Sequence, residues 1–267
     1  MVVTAKTSGG VVPLHPIRRP TSWPTIAVAV LVATAIPACG GDEEATIDPG
    51  DDGSYEVEID PAEFTSDIDN EWLPLATGSS WEYELTDAEG EVEEIVTVEV
   101  LDERRTVMGV ETVVVKDVVS TPSGDVLEDT RDWFAQDSEG NVWYFGEETV
   151  SYEDGEADTA GSWEAGVDGA LPGIVMPADP MSRDGGYRQE YLEGEAEDMG
   201  EVIGSGEPVS VPAGDFEDVL VTREWTPLES DTVEEKTYAR GVGMILEEQV
   251  KGPDEGERGV LLQYVLG

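Results

Sequence analysis

Trp81-Glu-Tyr-Glu-Leu85 alternates large apolar and acidic residues, breaks at Asp87-Ala-Glu-Gly90, and the alternation resumes from Val92 to Leu101. Successive side chains of a strand point to opposite faces, so this stretch predicts two strands, each with one buried face, joined by a turn. The same grammar extends outward. Residues 107–119 form a run rich in Val, Met and Thr, which Pro122-Ser-Gly-Asp125 turns back. Residues 126–136 lead to Asp137-Ser-Glu-Gly140, and Asn141-Val-Trp-Tyr-Phe145 returns. Further strand-like stretches cover 209–214, 219–225, 233–239, 244–251 and 259–266. Short strands separated by Gly, Asp, Ser and Pro turns predict an all-β fold. The expected form is an antiparallel curved sheet, built as a sandwich or a partly open barrel.

Two stretches fit the pattern less well. Residues 160–184 are rich in Gly and Pro with few periodic positions, and are expected to form a long ordered loop, a feature that is more often functional than not. In residues 192–203, Leu192, Ala196, Met199 and Ile203 would share a helix face, but Gly194 and Gly200 weaken a helix, so extended structure is favoured. Glu71-Trp-Leu-Pro-Leu75 echoes Glu224-Trp-Thr-Pro-Leu228, yet the flanks do not align and no duplicated unit follows.

The N-terminus has a different character. Lys6, Arg18 and Arg19 precede an apolar run over residues 25–36, too short for the roughly 20 residues that span a bilayer, and no acid occurs before Asp42. Residues 1–38 are therefore expected to be a signal peptide. It ends in Ile36-Pro37-Ala38-Cys39-Gly40, which resembles the lipobox of bacterial lipoproteins, with Pro37 the unusual residue. In that motif the cysteine is diacylated and becomes the new N-terminus. Cys39 is the chain's only cysteine, and two or more acyl chains hold stably. Gly40 to Asp60 carries nine acids and no base. Residues 39–61 are accordingly expected to be the lipidated Cys and an acidic, self-repelling tether, and 62–267 a single β-rich domain. The expected location is the cell envelope, with the protein anchored on the extracytoplasmic side of a membrane.

The whole chain of 267 residues has 14 Lys+Arg against 61 Asp+Glu, a formal charge of −47. Without residues 1–38 it keeps 11 bases and all 61 acids, a formal −50 on 229 residues, and loses His15, the only histidine. Such a charge excludes nucleic-acid partners, which are held by clustered Lys and Arg. It is a halophile-like composition, suited to staying hydrated in a saline or alkaline exterior. With no histidine or thiol left, His-based acid–base work, Ser-His-Asp triads, Cys nucleophiles and Zn, haem or Fe–S centres are closed. No phosphate-cradling Gly loop is present.

Two chemistries survive. Paired carboxylates hydrolyse glycosides, but with 61 acids chance proximity is assured, and no catalytic residue is assigned. Calcium takes oxygens alone. Asp48-Pro-Gly-Asp-Asp-Gly53 fails the EF-hand pattern at Gly50 and Ile59, and Asp137-Ser-Glu-Gly-Asn141 is more simply a hairpin turn. No metal ligand or cofactor is assigned, calcium being the one ion the residue types admit. The densest polar constellation is Tyr187-Arg188-Gln189-Glu190-Tyr191 with Glu195 and Asp198 following. Tyr187, Arg188, Glu190, Tyr191, Glu195 and Asp198 are the candidate ligand-binding residues. If extended, the strand presents Tyr187, Gln189 and Tyr191 on one face and Arg188 and Glu190 on the other.

Several blocks also carry a likeness. They are Ile68-Asp-Asn-Glu-Trp-Leu-Pro-Leu75, Asp132-Trp-Phe-Ala-Gln-Asp137 with Gly140-Asn-Val-Trp-Tyr-Phe-Gly146, and Gly169-Ala-Leu-Pro-Gly-Ile-Val-Met-Pro177. Tyr187-Arg-Gln-Glu-Tyr191 with Gly194-Glu-Ala-Glu-Asp-Met199, Val211-Pro-Ala-Gly-Asp-Phe216 and Tyr238-Ala-Arg-Gly-Val-Gly243 continue it. Together they resemble a family of uncharacterised bacterial secreted proteins and lipoproteins over residues 62–267. The resemblance implies one domain across that span and brings no activity with it. The leading expectation is a non-enzymatic envelope protein binding a small molecule, lipid or surface component. The alternatives are a carboxylate-dependent, glycosidase-like hydrolase and a structural surface protein.

Overall fold

The computed structural model describes residues 55–153, 155–180 and 185–267. The signal peptide, Cys39, the 48–53 acidic loop and the tether as far as residue 54 lie outside the described residues. The meander expected around Trp81 forms the centre of the sheet. It comprises β2 (Ser80–Thr86), β3 (Val92–Val107), β4 (Val110–Ser120), β5 (Val126–Asp137) and β6 (Val142–Glu153), each antiparallel to the next. Beyond β6 come β9 (Leu171–Met176) and β11 (Glu190–Tyr191). On the other side β2 pairs with β18 (Arg258–Val265), followed by β17 (Gly243–Lys251), β16 (Val233–Ala239), β15 (Val219–Trp225), β12 (Met199–Ser205) and β10 (Gly186–Arg188). Short strands β1 (Phe64–Thr65), β7 (Glu156–Asp158) and β8 (Trp163–Glu164) pair with β5 or β6. A separate hairpin joins β13 (Val209–Val211) to β14 (Gly214–Phe216).

The fold is all-β and antiparallel, a sheet nearly closed into a barrel with a seam. Its strand order ends in β10 on one side and β11 on the other, and Gln189 alone separates these two strands in the chain. The seam is thus spanned by the backbone itself. Register shifts interrupt eight of the strand pairings, including β2–β3, β3–β4, β4–β5 and β5–β6. An extra residue bends and twists its strand, which is how a long sheet curls. The β3–β4 hairpin turns on Met108 and Gly109, at φ 50° and 85°, the pair of positive angles that matches strand twist.

The hydrophobic interior follows the alternation. Trp81, Tyr83 and Leu85 on β2 and Val96, Val98 and Val100 on β3 are buried, and join Val113, Val115, Phe134, Leu220, Ile245 and Leu261. Each such side chain contributes about 1.5–3 kcal/mol by leaving water. Of the Gly/Pro-rich stretch expected as a loop, the described residues 160–180 hold two strands, β8 and β9. Leu171-Pro-Gly-Ile-Val-Met176 is covered on both faces, so it lacks the alternation that marks a half-buried strand. Residues 192–203 divide: Leu192 bridges Ala196 in a tight turn, and extended structure begins at Met199. The Asp137 turn is a hairpin, with Oδ1 accepting from the Glu139 and Asn141 amides and Oδ2 accepting from Trp143 Nε1 at 2.7 Å. Tyr55 already belongs to the barrel, buried, with its hydroxyl donating to the Pro172 carbonyl at 2.8 Å.

Candidate functional site

Pairing sets the site. Thr222, Lys236, Glu247, Gly259, Leu85 and Glu94 are successive partners along one row crossing β15, β16, β17, β18, β2 and β3. Two residues along each strand, and so on the same face, Glu224, Glu234 and Gln249 form the adjoining row. Every member with a charged or amide side chain is buried. Like charges directly opposite one another destabilise a sheet, and here Glu224 faces Glu234. Lys236 offsets that repulsion. Its Nζ lies 2.6 Å from Glu224 Oε2 and 3.6 Å from Glu247 Oε1, with all three side chains almost fully buried.

The electrostatics follow from one ammonium among three carboxyls. Burial alone would lower the Lys236 ammonium, but Glu224, Glu247 and Glu234 hold it well above its usual range. Burial raises the Glu247 carboxyl well above the ordinary value, and Lys236 only partly opposes this. Burial raises Glu234 as well. Glu234 and Glu247 are diagonal neighbours on adjacent strands, and their carboxyls interact directly. The Tyr83 hydroxyl donates to the Met244 carbonyl at 3.0 Å, and burial, then Asp117 and Glu247, raise that phenol.

A cleft opens onto this cluster from outside. Its enclosed space is about 20 Å³, room for about one water, and it is lined by members of both rows and the rim: Leu85, Thr86, Glu93, Glu94, Glu234, Glu247, Gln249, Glu257, Arg258 and Gly259. Glu257, at the rim, is pushed up to about 8 by burial and by Asp254, Glu93, Glu94 and Asp87. Arg258 is the one cation on the lining and is engaged by Glu248, Nε to Oε1 at 2.9 Å. Among the described residues, no three acids converge closely enough to coordinate a metal ion.

The candidate residues read from the sequence sit elsewhere, on the seam. Tyr187, Arg188, Gln189 and Glu190 are all buried, so the expected division into an inner and an outer face does not hold there. Both faces are covered because β10 and β11 belong to opposite edges of the sheet. Arg188 Nη1 donates to the Glu197 carbonyl at 2.6 Å, and its guanidinium lies 5.2 Å from the Tyr191 ring centroid. Tyr191 is half-buried and tilts against Tyr55 at 5.8 Å. Asp198 is buried and its carbonyl accepts from the Gln189 amide at 2.8 Å, whereas Glu195 is exposed. The structure therefore gathers five of these six residues into the closure of the barrel, away from the cleft.

No family model matches the chain, and no curated protein matches it. Two solved structures are similar. One is a Bacteroides fragilis protein described as exported and of YmcC-like fold, 15% identical, with a TM-score of 0.45. The other is a Parabacteroides distasonis protein described as a lipoprotein, 16% identical, with a TM-score of 0.42. Each likeness covers 74% of this chain and all of the other.

Sequence reasoning did not single out Glu224, Glu234, Lys236, Glu247 or Gln249. One signal was available. Lys236 is one of only three lysines beyond the leader, and it lies within a strand beside two glutamates instead of in a turn.

Proposed function

We propose that this is an envelope protein, held on the extracytoplasmic side of a membrane by acyl chains on Cys39, that binds a small polar molecule in the cleft at the end of its barrel. The observation that carries the reading is the row of inward-facing charged residues opening to the outside. A packed structural barrel has no use for Glu234, Glu247 and Lys236 beneath an open cleft, because burying charge is costly. A concave site with a few converging polar groups is the usual form of a small-molecule site. The charged lining disfavours a lipid tail as occupant. In this reading the seam residues Tyr187, Arg188, Glu190 and Tyr191 hold the wall closed.

Glycoside hydrolysis is the weaker reading. Its two carboxyls stand about 5–9 Å apart with the sugar between them. Glu234 and Glu247 are instead diagonal neighbours on adjacent strands that interact with each other, with Lys236 beside them. Two experiments test the proposal. Screening a fragment library by NMR should shift signals from Thr86, Glu94 and Gly259, and hits confined to other surfaces would refute the cleft. Cys39→Ser should release the protein from the membrane fraction, and unchanged retention would refute the anchor.

A further inference from the structure

Lys236 and Glu224 meet in a setting suited to more than an ion pair. Thr222 and Glu224 share one face of β15, and Lys236 on β16 is the partner of Thr222, so the lysine reaches Glu224 diagonally across adjacent strands. Its Nζ donates to Glu224 Oε2 at 2.6 Å, and the two side chains are only 4% and 6% exposed. The carboxyl carbon lies one C–O bond of about 1.2 Å beyond that oxygen, so amine and carbon are at most about 3.8 Å apart. Held groups react from about 3–3.5 Å. The other oxygen, Glu224 Oε1, accepts from the Thr222 hydroxyl at 3.3 Å, a donor placed where negative charge would develop on attack. A third group completes the arrangement, with Glu247 Oε1 3.6 Å from the same Nζ.

An ion pair at this depth is costly, because both charges have left water. An amide between the two side chains would remove both charges and tie the strands together. The chain has no other covalent tie within it, since Cys39 is its only cysteine. The cleft beside Glu247 has room for about one water, the molecule that amide formation releases.

We propose that Lys236 and Glu224 condense into an intramolecular amide, an isopeptide cross-link between β15 and β16, with Glu247 relaying a proton. One proton crosses the short contact from Nζ to Oε2, leaving a neutral amine beside a neutral acid. The nitrogen lone pair attacks Glu224 Cδ, the C–N bond forms, and the carbonyl electron pair moves onto Oε1 against Thr222. Glu247 takes a second proton from the nitrogen and delivers it to Oε2. Burial raises the affinity of that carboxyl for a proton, which suits it to accept one. The Cδ–Oε2 bond then breaks, Oε2 leaves as water, and the electron pair on Oε1 restores the carbonyl. One hydrogen stays on the amide nitrogen, Glu247 ends as it began, and nothing is oxidised or reduced. The carboxylates hold Lys236 as an ammonium at rest, but each chain reacts only once, so a rarely neutral amine suffices. The cross-link needs no occupant in the cleft and goes beyond the binding reading.

Peptide mapping of the purified full chain tests this. Trypsin cuts after Arg223, Lys236 and Arg240, so a chain without the bond gives residues 224–236 and 237–240 as separate peptides. The cross-linked chain should give residues 224–240 as one peptide, uncut after Lys236 and lighter than its sequence by one water. Water lost instead by cyclisation of the new N-terminal Glu224 would leave the cut after Lys236 in place, and would count against the bond. In Glu247→Gln, and in Lys236→Arg, which keeps the charge but lacks the amine, the separate peptides should return at full mass. Far-UV circular dichroism confirms that each variant is folded, and the wild-type peptides carry the test alone if neither is. Separate full-mass peptides from the folded wild-type protein would overturn the cross-link. A bond formed equally well in Glu247→Gln would overturn the relay.

Discussion

Lys236 is the residue on which the interior depends. Glu224, Glu234 and Glu247 surround it, and removing one partner of a buried ion pair leaves charge with nothing to offset it. Lys236→Met should destabilise the protein by about 3–5 kcal/mol near neutral pH, measured by urea unfolding. The loss should shrink in acid, where the glutamates take up protons, and a loss independent of pH would contradict the assignment. Glu257 gives a second prediction. Its carboxyl is pushed up to about 8 from an ordinary 4.5. Between those values the folded chain holds a proton that the unfolded chain lacks, so stability is full below the window and falls as pH rises through it. Glu234 and Glu247, also raised, act in the same direction. Glu257→Gln should flatten the decline in thermal midpoint across this window, and an unchanged slope would show that Glu257 does not titrate there.

At the scale of elements, the seam is where the sheet is weakest, since β10, β11 and β9 are short. Gly173 on β9 makes the closure possible. A Cβ at this position would collide with the carbonyl of Arg188 and the backbone of Gln189. Gly173→Ala should therefore cost about 1–3 kcal/mol or more and raise hydrogen exchange at the amides of residues 187–191. Exchange unaltered there would place the closure elsewhere. The central meander was legible because Trp81-Glu-Tyr-Glu-Leu85 and its neighbours each bury one face, and period two is visible in a single strand. β9 and the seam were not, because strands buried on both faces lose that period. The cleft was hidden for a related reason. An inward Glu on β15, β16 or β17 looks like any other of 61 acids until register aligns Glu224 with Glu234 and Lys236 with Glu247.

Over the whole molecule the composition is strongly acidic, and among the described residues the few exposed cations are mostly paired. Arg104 and Arg105 reach over the sheet, with Arg105 bound to Glu164 and stacked on Trp133 at 3.9 Å, and Arg240 links Glu71 to Asp218 across Trp72. Self-repulsion of the remaining acids weakens the compact state at low ionic strength, and salt screens it. The urea midpoint should rise in molar potassium chloride, and a midpoint unmoved by salt would show that the acids are mutually remote. The central claim is that the end of the barrel holds a small molecule. Gly259 provides a plug, because a Cβ there meets only ordinary contacts, Leu85 at 3.5 Å and Glu247 Oε2 at 3.7 Å, so a longer side chain extends into the cleft. Native mass spectrometry of the protein taken from its own membrane, beside Gly259→Leu prepared in the same way, is the direct test. The wild-type protein should carry a non-covalent mass that the variant lacks; equal masses, bare or equally loaded, would contradict the claim.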